Sequence, residues 1–397
     1  MTRIRTAVAL IATTMLLSAS IAAPVAASSA SWSQFHYSST RSGYNPLETT
    51  LSSSNVAHLK PIWQANLKTV ALASPTVVGN QVFMETVNGM VYALRRTDGH
   101  VNWKVRAGTA IWARGAAVWG SLLIVAADDA SGGQVMALNT KSGKTVWRTR
   151  LAGTAMYATP AVYGNSIYLA SGGTVYDLNA ASGKVIWQTV VSTSPDGAIQ
   201  SPVAVSGGGQ YVIAAGVDGQ YVIAAGVDGQ VYLLVGADGR RGWTVKAGEQ
   251  IYRGGPSIYN GIIYVSAGHT LAAMQVSDGN ILWQNEAGGG GLVAPAAGRG
   301  GVYLGDTSNS MRGFDAATGA LRWTSELRSE NWGDPVLANG LVYIATDEEL
   351  EVFDTASGTM LYSYPLGSSE ATMSGPAVLD GRVYVASGAG IVYAFGL

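Results

Sequence analysis

Short runs of alternating apolar and polar residues, each closed by a glycine-containing turn, recur along most of the chain. Residues 74–105 show the unit. Apolar alternation over 75–78 meets Gly79-Asn80, alternation over 81–87 meets Asn88-Gly89, and alternation over 90–95 meets Asp98-Gly99, before a last run, 100–105, carries Trp103. Period-2 alternation marks strands with one face buried, and Asn-Gly or Asp-Gly between such runs marks tight hairpins. Each unit therefore predicts four short antiparallel strands in about 40 residues, the size of a propeller blade.

The unit repeats in register. Trp63, Trp103, Trp147, Trp187, Trp243, Trp283, Trp323 and Tyr362 follow one another at intervals of 40, 44, 40, 56, 40, 40 and 39 residues, and in the last seven cases a Gly stands four positions earlier. Pro75, Pro160, Pro202, Pro256, Pro295, Pro335 and Pro376, with Ala116 in the missing slot, mark eight innermost strands. The 35 residues after Tyr362 hold three strands of a last blade without a fourth. The missing strand lies near Trp63, at 61–65, so pairing it with the C-terminal strands closes a ring and removes its open edges. The prediction is an all-β, eight-bladed β-propeller over 60–397. The eight aromatics are expected to be cement between blades, each burying roughly 200 Å².

The 56-residue interval holds a perfect duplication, Gly209 to Asp218 repeated as Gly219 to Asp228. One extra strand would reverse the chain direction for every later blade. One copy is therefore expected in the second-strand position and the other in a loop, with the register between them degenerate.

Composition fits this picture and excludes some functions. Charged residues are only 12% of the chain and Gly numbers 51. The net charge of −1 offers no basic field for nucleic acid or an anionic membrane. Residues 1–27 read as a secretory signal: Arg3 and Arg5, an apolar stretch from Ala7 to Ala23, and a small-residue cleavage site at Val25-Ala26-Ala27. Removing Arg3 and Arg5 from the 24 basic residues leaves 22 against 25 acidic ones, a net of −3. The apolar stretch is too short and too interrupted by Ser and Thr to span a bilayer, which needs ~20 apolar residues. No cysteine is present, so disulfides contribute nothing. The mature chain is expected to be a secreted or periplasmic monomer. Residues 28–59 read as a polar lead-in whose aromatics, Trp32, Phe35, Tyr37 and Tyr44, are expected against one propeller face.

The recurring Tyr-Ala-Leu-x-x-x-(Thr/Ser/Asp)-Gly-x-x-x-Trp pattern resembles the tryptophan-docking repeat of the pyrroloquinoline-quinone (PQQ) propeller family. That family includes quinoprotein alcohol dehydrogenases and the cofactor-free BamB lipoproteins of outer-membrane assembly. The resemblance covers about 60–397. The family's Asp eight residues before the Trp is kept at Asp315 and Asp354, nearly matched at Asn139 and Asn179, and lost at Arg95, Val235 and Gln275. The dehydrogenase branch implies PQQ with calcium in the central funnel, but its adjacent-cysteine disulfide cannot form here, and no haem attachment motif occurs.

Residues just before the inner-strand prolines should ring the funnel: Trp112, Arg114, Tyr157, Gln200, Tyr252, Arg253, Trp332, Asp334 and Met373. Aromatics with two Arg could stack a planar anionic ligand. No catalytic set is recognisable, and His36, His58, His100 and His269 lack metal-ligand spacing. His100 and His269 are expected in hairpin turns, and Asp347, Glu348, Glu349 and Glu351 in a solvated one. The leading expectation is a non-catalytic module for a protein or envelope polymer; the alternative is a PQQ-dependent dehydrogenase of alcohols or sugars.

Overall fold

A computed structural model of the chain describes residues 31–397 apart from 156, 194–198, 207–219, 252–253, 292, 368–371 and 374. The predicted secretory signal lies outside the described residues. Eight sheets succeed one another along the chain, antiparallel throughout except where the short strand Tyr44–Asn45 runs parallel beside Val336–Ala338. Blade 1 consists of Thr76–Val78, Gln81–Glu85, Met90–Arg95 and Val101–Arg106, from the axis outward. Blades 2 to 7 repeat the scheme, their innermost strands being Ala117–Trp119, Ala161–Tyr163, Ala204–Ser206, Ser257–Tyr259, Ala296–Gly298 and Val336–Ala338. In blade 5 one continuous run, Ile262–Gln275, serves as second and third strands and bends at Gly268. His269 sits at that bend and His100 beside the Asp98-Gly99 turn, as expected.

Blade 8 closes the ring. Its three C-terminal strands, Ala377–Leu379, Arg382–Ala386 and Ile391–Gly396, take Lys60–Asn66 as the fourth, with Lys60 opposite Gly396 and Asn66 opposite Ile391. The chain is thus an all-β, eight-bladed propeller, as its sequence pattern predicts.

The repeated aromatics explain how the blades hold together. The indole nitrogens of Trp63, Trp103, Trp147, Trp187, Trp243, Trp283 and Trp323 each donate to a backbone carbonyl of the following blade, at 2.8–3.1 Å. Each indole also lies against the turn glycine of that blade. A Cβ on Gly183 would come within 2.3 Å of the Trp147 ring, and one on Gly358 within 2.6 Å of Trp323. In three blades a second-strand tyrosine shares the acceptor: Tyr168 with Trp187 at Gly236, Tyr264 with Trp283 at Ala316, and Tyr303 with Trp323 at Thr355.

The second copy of the duplication supplies the second strand of blade 4, Tyr221–Ala225. The first copy, expected in a loop, lies outside the described residues.

Candidate functional site

The lead-in does not lie against a face. It winds around the axis and meets the innermost strands in chain order. Trp32 and Val77 of blade 1 exchange both backbone hydrogen bonds. Val118 of blade 2 donates to the Ser33 carbonyl, and Val162 of blade 3 exchanges two hydrogen bonds with the Gln34 side chain. Val205, Ile258, Ala297 and Leu337 of blades 4 to 7 then donate to Ser39, Thr40, Ser42 and Gly43, and Asn45 reaches Val378 of blade 8. The cause is an accounting one. The innermost strand of each blade has a buried free edge, and buried backbone groups need partners. The lead-in provides them, and Trp32 and Phe35 are buried there.

A column of charged and aromatic groups fills the middle of this spiral. The Arg41 guanidinium is fully buried and donates to the Phe35, Pro160 and Val203 carbonyls at 2.7–3.1 Å, and among the described residues it forms no ion pair with a carboxylate. Burial lowers its pKa to about 9, which leaves it cationic at neutral pH. Its guanidinium lies 5.4 Å from the Phe35 ring centre, and that of Arg114 lies 5.8 Å from the same ring. Beside them the His36 Nδ1 meets the Arg41 carbonyl at 3.0 Å, and burial holds the His36 pKa below the ordinary value despite the nearby Asp334.

Of the funnel residues predicted from sequence, Arg114 and Asp334 come together. They form a buried ion pair between blades 2 and 7, and the other Asp334 oxygen accepts the Ala294 N–H at 2.8 Å. Trp112 stands exposed, while Tyr157, Gln200, Trp332 and Met373 are half-buried. Tyr157 holds a left-handed backbone, φ +62°, a costly conformation for a non-glycine residue. Tyr252 and Arg253 lie outside the described residues. Sequence reasoning missed Arg41 and His36, because their roles depend on where the lead-in runs. The only visible signal was a conspicuously aromatic segment ahead of the repeats.

The expected solvated acidic turn is partly a correction. Glu351 is fully buried, accepts the Arg328 N–H at 3.1 Å, and has its pKa raised to about 7 by burial. It lies inside the strand Glu349–Asp354, whose four central residues are all buried, which a run of acidic letters does not reveal.

A PQQ-calcium site needs carboxylates free to coordinate. Asp334, the carboxylate among the predicted funnel residues, is committed to Arg114 and the Ala294 amide, and no group of three or more His, Cys, Asp or Glu able to hold a metal occurs among the described residues. The residues described here do not fit that group.

Closed ring, docking tryptophans and plugged axis together define a PQQ-type β-propeller. The chain belongs to the family described as outer membrane protein assembly factor BamB, whose model matches residues 47–113, 106–233 and 212–395. It is 29% identical to the outer membrane protein assembly factor BamB of Salmonella typhimurium over 332 residues, covering 81% of this chain and 83% of that protein. Among solved structures it resembles BamB from Moraxella catarrhalis (TM-score 0.67, 18% identity, 85% of this chain and 98% of that one). It also resembles a europium-containing methanol dehydrogenase (TM-score 0.74, 15% identity, 93% and 98%). At those identities the two structures speak for the fold alone.

Proposed function

We propose that the chain is a non-catalytic, extracytoplasmic scaffold that binds a protein of the cell envelope, in a role akin to the outer-membrane protein assembly named for its relatives. The observation carrying this reading is the axis: the lead-in occupies it, and the Arg114–Asp334 pair neutralises the carboxylate that a quinone-bound cation would need. Family membership supports it independently. A propeller without a cofactor site presents faces and edges, and these are binding surfaces.

Two measurements on the purified mature chain test the reading. Cross-linking in intact cells should trap a stoichiometric envelope protein that rebinds saturably in vitro. Addition of PQQ and calcium should leave the thermal midpoint unmoved and support no dye-linked alcohol oxidation. A saturable thermal shift with accompanying dye reduction would overturn the reading in favour of a dehydrogenase.

A further inference from the structure

The outer strand of every blade has a free edge, and such edges invite pairing unless charge, proline or a covering element protects them. Seven of the eight are protected. Lys60–Asn66, Val101–Arg106, Thr145–Arg150, Arg241–Lys246, Ile281–Gly291 and Leu321–Glu326 each carry at least one Lys, Arg or Glu. Met360–Pro365 carries no charge, but it ends in proline, is largely half-buried, and packs against the 3-10 turn Val56–His58. The edge of blade 3, Val185–Val190, carries no charge and no proline of its own, and among the described residues its backbone is touched from another blade only at its last carbonyl, by Arg241 of blade 4. Its sequence is Val-Ile-Trp-Gln-Thr-Val, no strand among the described residues pairs with its outer side, and Val185, Ile186 and Val190 are all exposed.

Its surroundings are basic. The flanking outer strands and the preceding turn supply Arg148, Arg150, Lys184, Arg241 and Lys246, and those two strands contain no carboxylate. Arg241 reaches across from blade 4 to the Val190 and Val191 carbonyls at 3.1 Å. Only Arg150 of these five is ion-paired with a carboxylate, Asp129, among the described residues.

We propose that the blade 3 edge, Val185–Val190, is a docking site for an extended segment of a partner protein. That segment adds a fifth strand to the blade by main-chain hydrogen bonding, sets alternate apolar side chains on Ile186 and Val190, and carries acidic residues at its flanks. The charge argument selects this occupant over a second copy of the chain, whose own edge would bring Arg148, Lys184 and Arg241 against themselves. This inference rests on the scaffold reading and sharpens it.

The test uses the full mature chain and a fluorescent peptide of alternating Val and Thr with two Glu at each end. Saturable binding is expected, weakening as salt rises. Ile186→Glu with Val190→Glu should weaken it about tenfold or more, by placing repulsive charge on the edge, while the thermal midpoint stays unchanged because both positions are exposed. Val101→Glu, a charge placed on the edge of blade 1, should bind as the parent does. Absence of saturable binding, equal binding by the double variant, or equal binding of a Lys-flanked peptide overturns the proposal. If the double variant still cross-links the same envelope protein in cells, the edge proposal falls and the scaffold reading stands. If the unaltered chain cross-links none, the scaffold reading itself falls.

Discussion

The hairpin joining third and fourth strands is capped in two interchangeable ways. Asn139, Asn179, Asp315 and Asp354 each accept backbone and hydroxyl hydrogen bonds from the turn residue three places on, Ser142, Ser182, Thr318 and Ser357. Where that position is Arg95, Val235 or Gln275, the turn's own aspartate takes over, with Asp98, Asp238 and Asp278 accepting from His100, Arg240 and Asn280. An acceptor moves along the turn and the turn survives, which is why losing the family's Asp in three blades leaves the fold intact. Glu85 has no such resolution. Both its oxygens are buried without a hydrogen-bond partner among the described residues, and burial raises its pKa to about 8. Its pKa is higher folded than unfolded, so its stabilising contribution is complete below about 4.5 and is lost as pH rises through about 8. Glu85→Gln should therefore flatten the fall in stability over that window, which runs to ~1.4 kcal/mol per pH unit, as read from thermal midpoints at pH 5 and pH 8. An unchanged slope would show that the carboxyl finds water.

At the scale of the element, one junction departs from the docking rule. Each Trp rests on the third-to-fourth-strand turn of the next blade, but blade 8 has no such turn, because its fourth strand comes from Lys60–Asn66. The residue that would dock there is Tyr362, and its hydroxyl and that of Tyr343 are buried without hydrogen-bond partners among the described residues. The lead-in covers the gap instead: Glu48 accepts the Gly381 N–H at 2.9 Å, and Asn339 donates to the Leu51 carbonyl at 2.9 Å. Tyr362→Phe should be neutral or slightly stabilising, since it removes a buried, unpaired hydroxyl. Trp323→Phe, which loses a bonded N–H and part of a well-packed ring, should cost roughly 1–3 kcal/mol in denaturant unfolding. Equal effects would refute the account of the junction. The repeat and the closure were legible in the sequence because alternation, turn glycines and aromatic spacing are local signals. The spiral of Trp32 to Asn45 was not, because its partners are single backbone groups spread over eight blades, and backbone groups leave no mark in the letters. The Arg114–Asp334 pair was half legible. Both residues were placed in the funnel, but the distance between blades 2 and 7 across the axis has no sequence equivalent.

For the whole molecule, closure is the test of architecture. Deleting residues 60–67 removes the pairing partner of Ile391–Gly396 and the indole of Trp63 together, and should abolish the cooperative thermal transition. Retention of the full transition would sink the closure model. The axial spiral has a kinetic consequence as well. Its first contact, Trp32 with Val77, is available early in synthesis, but its last, Asn45 with Val378, waits for almost the entire chain, as does the pairing of Lys60 with Gly396. Contacts so remote in sequence make folding slow, because loop closure must precede the contacts that reward it. The segment made first is thus the last to be satisfied, and until the final blade emerges the nascent propeller carries an open seam and an unplugged axis. Such a chain depends on whatever shields its exposed edges while it is made.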